Sequence, residues 1–409
     1  MPKQVYYFIN FIRSENGYAT RVKAIYNILT SLGLTVKIVP LCYITPREVL
    51  RWLKQKFMKK RIDLFGLSNS YLVPIPSYNF IVLHLLKVFF NKKLNKVDKN
   101  TEVVYWAETY FPAHYAIALK NKNITKVVVD IHGAQGEELS EYSKMPVNKK
   151  LDRQVNLLDR IEKEIIKNSN TILTVSNQMV NHLVKKTGYT PDSSVLIPCF
   201  PDFKKFYPVQ NKEEKIELRK KLNIPQDDLT FIYVGSLDQW QCINETILVF
   251  KQITKLMDST FVMLTPNCAK AQEITCSVLN DKTIQSKIIC KTVPHDEVRN
   301  YISASDIGFL LRKRSLTNIV SSPTKFAEYL ACGIPVIATE FAGISGNIIE
   351  SDKVGLIINL DDLNVPRLNE FINEVMKNDL YWSERCRNSA ENNFDQKIYK
   401  ERIKELLKL

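Results

Sequence analysis

The sequence lacks the patterns that mark secreted, metal-stapled and membrane-spanning proteins. Its eight cysteines form no Cys-x-x-Cys pair, and several lie in apolar runs, which indicates reduced buried thiols rather than a disulfide framework or a zinc site. The N-terminus opens into a strand-like run without the plan of a signal peptide. The most apolar long window, 71–90, is interrupted by prolines, a histidine and a lysine, so it is a poor bilayer span. We therefore expect a cytoplasmic protein.

The composition is that of a globular protein with a basic excess. Hydrophobic residues make up 45% and charged residues 24% of the 409 positions, which excludes disorder, collagen and coiled coil for the whole chain. The 57 Lys and Arg against 43 Asp and Glu give a net charge of +14, which suits an anionic partner such as a phosphorylated substrate or an acidic membrane. The basic residues are scattered and no recognition module is visible, so we expect no nucleic-acid partner.

Two successive series of alternating strand and helix patterns predict an α/β protein with two doubly wound domains. The first series has apolar strands at 5–10, 35–39, 102–106, 126–130 and 171–175. The second has them at 230–234, 260–264, 287–290, 306–311 and 335–338. We place an N-terminal domain at 1–204 and a C-terminal domain at 205–391, with a last helix at 392–409 that could pack back on the first. The cleft between two such domains is the expected ligand site.

The most informative stretch is 321–339. Ser322 stands where a helix N-cap is expected, Pro323 suits the first helical position, and Gly333 suits the C-terminal end. The predicted helix follows a strand of the parallel sheet, and ligands bind at the carboxyl ends of such strands. Its N-terminus can therefore present free N–H groups to a phosphate.

Two charged side chains on this helix suit a nucleoside diphosphate. Lys325 lies in the first turn, and Glu328 follows three positions later on the same face. A cation for phosphate beside a carboxylate for ribose hydroxyls matches that ligand. An amphipathic helix with an ordinary ion pair fits the same residues, and the pattern alone leaves both interpretations open.

A family resemblance adds to this pattern. Ser-Pro-Thr-Lys-Phe-x-Glu-Tyr-Leu-Ala-x-Gly-x-Pro-Val-Ile, residues 322–337, strongly resembles the donor-binding helix of bacterial GT-B glycosyltransferases of the group 1, or GT4-like, family. Further segments resemble other parts of the family in the same order along most of the chain: 127–133, 192–198, 206–208, 231–240, 293–298 and 304–312. The resemblance implies the GT-B fold, with two Rossmann-like domains facing a central cleft.

The resemblance also implies roles for single residues. The expected donor-binding residues are Gly235, Ser236, Arg312, Ser322, Pro323, Thr324, Lys325 and Glu328. The expected acceptor-binding residues are Gly17, His132 and Glu137, and the expected catalytic residues are His132, Lys325 and Glu328. The residues alone allow structural readings too. A lone histidine at a strand end is often a satisfied structural residue, and a carboxylate such as Glu137 suits a helix N-terminus.

The sequence departs from the family at one position. Many members carry Glu-x7-Glu, in which the second glutamate corresponds to Glu328 and the first contacts the transferred sugar. Val320 stands at the first position here. The sequence therefore leaves open which sugar is carried and whether the activity is altered.

The resemblance implies retaining sugar transfer from a UDP- or GDP-linked donor to a glycan or lipid-linked acceptor in cell-surface polysaccharide synthesis. No cofactor and no metal are expected, because the chain has no Asp-x-Asp cluster and a helix N-terminus with Lys or Arg can stabilise the leaving group. Two alternatives remain: a non-catalytic sugar- or nucleotide-binding subunit, which Val320 leaves open, and a sugar-nucleotide epimerase on a similar fold.

The region 47–96 raises the question of a membrane partner. Lysines and arginines alternate there with bulky apolar residues, a pattern that suits an interfacial helix on anionic lipid. A solvated helix face packed on the N-terminal domain fits equally well. The first interpretation predicts a peripheral location on the inner face of the cell membrane.

Overall fold

The computed structural model describes residues 3–10, 17–44, 73–76, 88, 100–121, 124–142 and 149–409. The chain divides into an N-terminal unit, Met1–Ile197 with Gln396–Leu409, and a C-terminal unit, Pro198–Asp395. The sequence predicts this boundary between 204 and 205. The division falls earlier because residues 198–204 pack on the C-terminal unit, where the Cys199 N–H donates to the Ser322 hydroxyl and the Arg387 guanidinium lies 4.7 Å from the centre of the Phe203 ring.

The N-terminal unit is built on a parallel sheet in the order β3-β2-β1-β4-β5-β6-β7. Its strands are β1 (Lys3–Asn10), β2 (Thr35–Ile44), β3 (Val73–Pro76), β4 (Glu102–Glu108), β5 (Ile124–Ile131), β6 (Thr171–Thr174) and β7 (Ser194–Leu196). The described helices are α1 (Gly17–Ser31), α2 (Tyr110–Ala118), α3 (Gln135–Tyr142), α4 (Lys149–Asn168) and α5 (Asn177–Thr187).

The C-terminal unit repeats the plan with a parallel sheet in the order β10-β9-β8-β11-β12-β13. Its strands are β8 (Leu229–Val234), β9 (Ser259–Leu264), β10 (Ile288–Lys291), β11 (Ile307–Leu310), β12 (Val336–Ala338) and β13 (Gly355–Ile357). Its helices are α6 (Lys212–Leu222), α7 (Ile243–Ile253), α8 (Cys268–Val278), α9 (Lys282–Ser286), α10 (His295–Ser303), α11 (Leu316–Ile319), α12 (Thr324–Ala331), α13 (Ile344–Asp352), α14 (Val365–Lys377) and α15 (Asp379–Phe394). The last helix, α16 (Gln396–Leu407), is grouped with the N-terminal unit.

Apolar strands explain both sheets. Parallel strands covered by helices on both faces read as continuous hydrophobic runs, and β1 and β5 are buried over most of their length. In the C-terminal unit the ring of Phe309 stacks on Phe231 at 5.1 Å and meets the edge of Phe261 at 5.5 Å. This aromatic cluster joins three neighbouring strands, β9, β8 and β11, into one core layer.

In each sheet the strand order reverses at one place, between β1 and β4 and between β8 and β11. Loops diverge at the carboxyl ends of such neighbouring strands and leave a crevice for ligands. The loops that follow β8 and β11 carry Gly235 and Arg312, and the loop after β5 carries His132. The topology thus gathers the candidate residues of each unit at the favoured edge of its own sheet.

Some expectations about local structure were wrong. The polar stretch before Asn223, in which the sequence predicts neither strand nor helix, contains α6, whose N-terminus is capped by the Asn211 side chain. Helix α12 begins at Thr324, so Pro323 rather than Ser322 occupies the N-cap position. The Ser322 hydroxyl instead accepts a hydrogen bond of 3.0 Å from the Cys199 backbone. The cap was misplaced because a distant backbone donor takes the serine.

The region 47–96, with its proposed lipid-facing residues, lies outside the described residues except for 73–76 and 88. In the part of the chain that is described, no helix combines the length and apolarity required to cross a bilayer. The membrane-surface hypothesis therefore stays a prediction.

Candidate functional site

Two buried cations converge in the C-terminal unit. The Arg312 guanidinium, in the loop after β11, and the Lys325 ammonium, on the first turn of α12, each donate to the side-chain oxygen of Gln241 at 2.8 Å. Arg312 is 4% and Lys325 9% exposed. The two positive charges therefore meet at one neutral oxygen.

Lys325 is held in an apolar and aromatic surrounding. Its ammonium lies 3.9 Å from the centre of the Tyr233 ring, a cation–π arrangement. Burial, followed by the nearby charge of Arg312, lowers the pKa of Lys325 well below its usual range, and the Glu328 carboxylate partly opposes this shift. A bound anion would favour the charged form and raise this pKa again.

Gly235 provides the room for this lysine. Its φ of +143° is a conformation that side-chain-bearing residues rarely adopt, and an added Cβ would lie 2.8 Å from the Lys325 ammonium. The next residue, Ser236, accepts a hydrogen bond from the Tyr233 hydroxyl at 2.5 Å through its carbonyl. At Gly235 and Ser236 the loop after β8 therefore approaches the cation pair with its backbone.

The backbone of Arg312 is fixed by Thr339, which follows β12. The Thr339 hydroxyl accepts from the Arg312 N–H at 2.8 Å and donates to the Arg312 carbonyl at 2.7 Å. Arg312 also lines a cavity of about 710 Å³ at the carboxyl ends of β11, β12 and β13. Small-molecule sites usually occupy about 300–1,000 Å³. The arginine thus connects the cation pair to a space large enough for a ligand.

Glu328 lies one turn beyond Lys325 on α12 and is 7% exposed. The His295 ring, at the start of α10, lies 3.8 Å from the Glu328 carboxylate. The hydrogen bond to Glu328 raises the pKa of His295. His295 begins its helix, and it also faces the carboxylate expected to meet the donor.

The remaining donor candidates lie at the start of α12. Pro323 and Thr324 form its first turn, in which the Phe326 N–H donates to the Pro323 carbonyl at 3.1 Å. Ser322 is engaged by Cys199, so its hydroxyl supports the loop. Val320 is buried, with 1% of its surface exposed. The first position of the expected glutamate pair is thus a core position in this chain.

A second charged group lies inside the N-terminal unit. Arg21, on α1, donates to both oxygens of Asp130 at 2.8 and 2.9 Å and to the Ile197 carbonyl at 2.9 Å. Asp130 is fully buried. Burial alone would raise the pKa of Asp130, but the charge and hydrogen bonds of Arg21 together with the contact to His132 outweigh it and lower that pKa. Arg21 therefore keeps an ionised carboxylate in the core beneath His132.

His132 follows β5 and points Nδ1 at two carboxyl groups. Nδ1 lies 3.5 Å from the Glu108 carboxylate and 3.9 Å from Asp130. Burial lowers the pKa of His132 and raises that of Glu108. The other Glu108 oxygen accepts from the Tyr7 hydroxyl. The arrangement favours a neutral imidazole in a fixed orientation at the edge of the sheet.

The ligand atoms of Glu108, Asp130 and His132 lie within 4.8 Å of one another, a spacing that could hold a metal ion. However, the Arg21 guanidinium already neutralises Asp130 and would repel a second cation. The raised pKa of Glu108 further reduces the negative charge on offer. The donor set fits a metal poorly.

Glu137, expected near the acceptor, belongs to an ion cluster on the helices of the N-terminal unit. Its carboxylate lies 2.6 Å from the Lys186 ammonium and 3.3 Å from the His182 ring, and Lys186 also contacts Asp159 and Glu162 at 2.8 and 3.0 Å. Burial opposes ionisation, but hydrogen bonds with His182 and Lys186 lower the pKa of Glu137 to about 2. These contacts give the glutamate a structural role that joins α3 to α4 and α5.

Gly17, also expected near the acceptor, is the first residue of α1. It follows the loop after β1, at the carboxyl edge of the sheet where β5 ends beside β4. The acceptor roles of Gly17, His132 and Glu137 all stay predictions.

Three residues that bring these groups together were missed in the sequence. Gln241 lies in a short 3₁₀ turn, Glu108 ends β4, and Arg21 lies on the first helix. The position of Glu108 at the carboxyl end of a predicted strand was a usable signal. Gln241 and Arg21 carried none, because their partners are 71 to 109 positions away in sequence.

Known proteins match this chain in both sequence and fold. The family model "Glycosyl transferases group 1" matches residues 214–396. A Bacillus subtilis protein named as a teichuronic acid biosynthesis glycosyltransferase is 32% identical over 183 residues, which are 45% of this chain and 42% of that protein. The chain spans less than two thirds of the length of the curated relatives it matches.

Solved structures match over the whole chain. Sucrose-phosphate synthase from Thermosynechococcus elongatus aligns with a TM-score of 0.68 and 14% identity over 100% of this chain and 98% of its own. Anabaena HepE in complex with UDP aligns with a TM-score of 0.68 and 12% identity over 99% of both chains. These likenesses show the fold. Residues 214–396 thus match the group 1 glycosyl transferases, and the chain has the GT-B fold.

Proposed function

We propose that this protein is a glycosyltransferase that takes a sugar from a nucleoside diphosphate donor held by its C-terminal unit. The observation that carries the proposal is the cation pair, in which Arg312 and Lys325 converge on one neutral oxygen. Two cations held together beside a helix N-terminus and a glycine loop match the charge and size of a diphosphate. Anabaena HepE, which shares the fold, has been solved with UDP and with UDP-glucose.

The chemical role of the pair follows from charge. When the bond between sugar and diphosphate breaks, negative charge grows on the leaving phosphate. Fixed cations and N–H groups in a water-poor site stabilise that charge without reorganising. We assign this role to Arg312, Lys325 and the N-terminus of α12, and the ribose hydroxyls to Glu328. Removing one such donor typically slows the reaction about 10²–10³-fold.

We also propose that the transfer retains the anomeric configuration, that it needs no metal ion, and that the acceptor is a glycan or lipid-linked molecule of the cell surface. The name of the Bacillus subtilis relative supports a surface polysaccharide. Proton NMR of the first-formed product reports the anomeric configuration, and inversion would reject the retaining course. Turnover that is abolished by EDTA and restored by Mn²⁺ or Mg²⁺ would reject metal independence.

The test of the main proposal is a thermal-shift screen with UDP, GDP and CMP in the absence of metal. A ligand that binds only the folded state raises the melting temperature by mass action, by about 2.7 kcal/mol of stability at a hundred times its Kd. We expect one diphosphate to stabilise the protein selectively. Arg312→Ala and Lys325→Ala should abolish the shift, whereas Arg314→Ala, at an exposed position two residues away, should retain it.

The outcomes distinguish a transferase from a binding subunit and from an epimerase. No shift with any nucleotide would reject the donor site. A shift that survives in both alanine variants would place the nucleotide elsewhere. Selective binding without sugar transfer to any cell-surface glycan or lipid fraction would favour a non-catalytic binding subunit, an alternative consistent with the buried Val320. Release of an altered sugar nucleotide without acceptor would favour an epimerase.

We further propose that the protein attaches peripherally to the inner face of the cell membrane. The basic and apolar region 47–96 would contact the lipid, and the net charge of +14 favours binding to an anionic surface. A vesicle flotation assay compares anionic with neutral lipid. Binding to anionic vesicles that is lost in high salt is expected, and equal absence from both would remove this part of the proposal.

A further inference from the structure

The sequence around Gln241 predicts no binding role for this residue. It ends the 3₁₀ turn Gln239–Gln241 that follows β8, and the next residue, Cys242, has a φ of +53°. That left-handed residue turns the chain into α7. The Gln241 side chain is buried at 9% exposure, whereas Gln239 in the same turn is exposed. The turn therefore directs one of its two glutamines inward.

The inward amide meets two like charges. Its oxygen accepts from Arg312 Nη1 and from Lys325 Nζ, both at 2.8 Å. A carbonyl oxygen has two lone pairs, so these two donors use its full capacity. Two cations that share one acceptor atom stand closer together than their repulsion would otherwise allow. Gln241 thus links two side chains whose positions are set by different strands and helices.

The other charged and titratable groups around Lys325 do not replace this link. Arg312 repels it, and Glu328 on its own helix attracts it. From β8 the Tyr233 ring covers it, and Asp238 and Cys242 act on that tyrosine. Within the described part of the chain, the Lys325 ammonium makes its hydrogen bond to Gln241.

We propose that Gln241 is a positioning residue that gathers Arg312 and Lys325 into one binding unit for the diphosphate of the donor. The inference rests on the proposed function, because the donor is what gives the unit its use. A neutral amide is the suitable connector. It satisfies both cations by hydrogen bonding and cancels neither charge, so the pair keeps its attraction for an anion. A carboxylate at this position would neutralise the pair and occupy it.

Two substitutions of similar size separate charge from geometry. Gln241→Glu keeps the oxygen and adds a negative charge that competes with the diphosphate, so UDP or GDP should bind about a hundredfold more weakly. Gln241→Met keeps the length and removes the acceptor, so the two cations should separate. Gln239→Glu and Gln239→Met are the matched controls, because they place the same changes on the exposed glutamine of the same turn.

The pH profile provides a readout that a merely structural role would not move. Nucleotide affinity is measured by titration calorimetry over a series of pH values, because a cation binds an anion more weakly as it deprotonates. In Gln241→Glu the decline should begin at higher pH than in the wild type, since the carboxylate favours the charged lysine. In Gln241→Met it should begin at lower pH, since the lysine loses its acceptor. The Gln239 variants should follow the wild type.

Inorganic pyrophosphate distinguishes this inference from the proposed function. If the wild type binds pyrophosphate but no nucleotide, and Gln241→Glu abolishes that binding, the positioning role stands and the donor assignment fails. If nucleotides bind equally well to the wild type and both Gln241 variants, the positioning role fails and the donor site stands. An equal loss of affinity at every pH in both Gln241 variants would also overturn the inference. So would a wild-type protein that binds neither pyrophosphate nor a nucleotide. Circular dichroism of each variant verifies that it is folded.

Discussion

Replacing Arg21 with methionine should destabilise the N-terminal unit strongly. Arg21 and Asp130 are buried, with 3% and 0% of their side chains exposed, and Arg21 makes three hydrogen bonds in the core. Removing one partner of such a pair leaves a buried, uncompensated charge and costs about 3–5 kcal/mol. At about 2–4 °C for each kcal/mol in a unit of this size, the melting temperature should fall by roughly 6–20 °C.

The wild type and the variant should also differ in the sign with which stability depends on pH. In the wild type the pKa of Asp130 is lowered, so its contribution to stability is present above the unfolded value and lost as pH falls through the folded value. Without Arg21, burial and the Glu108 carboxyl raise the pKa of Asp130 instead. The variant should therefore gain stability on acidification from about pH 7 to about pH 5, while the wild type does not.

Thermal unfolding followed by circular dichroism at several pH values measures both effects. Arg160→Met, at an exposed position on α4, is the control and should leave the melting temperature nearly unchanged. The double variant Arg21→Met with Asp130→Asn should recover part of the loss, because the unpaired charge is gone. A loss below about 1 kcal/mol, or a variant that weakens on acidification like the wild type, would refute the assignment of a buried ion pair.

Three further outcomes follow from the site. The nucleotide affinity of the wild type should fall by up to about tenfold per pH unit above the lowered pKa of Lys325. Lys325→Arg should remove that decline because arginine stays charged, and an identical decline in the variant would contradict this prediction. Gly235→Ala should weaken nucleotide binding in calorimetry because its Cβ would crowd Lys325, whereas Gly33→Ala, which shares a positive φ but meets no atom within 4 Å, should not. Glu137→Gln should lower stability at neutral pH by about 1 kcal/mol in urea denaturation, an effect lost as pH falls towards 2; an unchanged midpoint would contradict the ion cluster.

The alternation of strands and helices was predictable from the sequence because it is a local property. Parallel strands buried on both faces are continuous apolar runs, and each predicted strand overlaps an observed one. The strands that were missed, β3, β7 and β13, are short, with three or four residues each. Such segments carry too few residues for a periodic signal to stand out.

Helix α12 was predictable for the same reason, but its contacts were not. The sequence placed Pro323, Lys325 and Glu328 on one helix at a sheet edge. It did not show that Ser322 is taken by Cys199, 123 positions away, or that Lys325 meets Gln241. Side chains from different loops are brought together by the fold of the whole sheet. Their separation in the sequence therefore does not predict which of them come into contact.

By itself, the sequence determined the fold class, the two series of strands and the helix that carries the candidate phosphate site. Tertiary structure alone decided the chemistry of the buried charges. Ionisation of Asp130 depends on Arg21, 109 positions away, and the lowered pKa of Lys325 depends on its burial beside Arg312. Burial is a property of the complete packing, and the energy of a charge in the interior is set by its neighbours in space rather than by those in sequence.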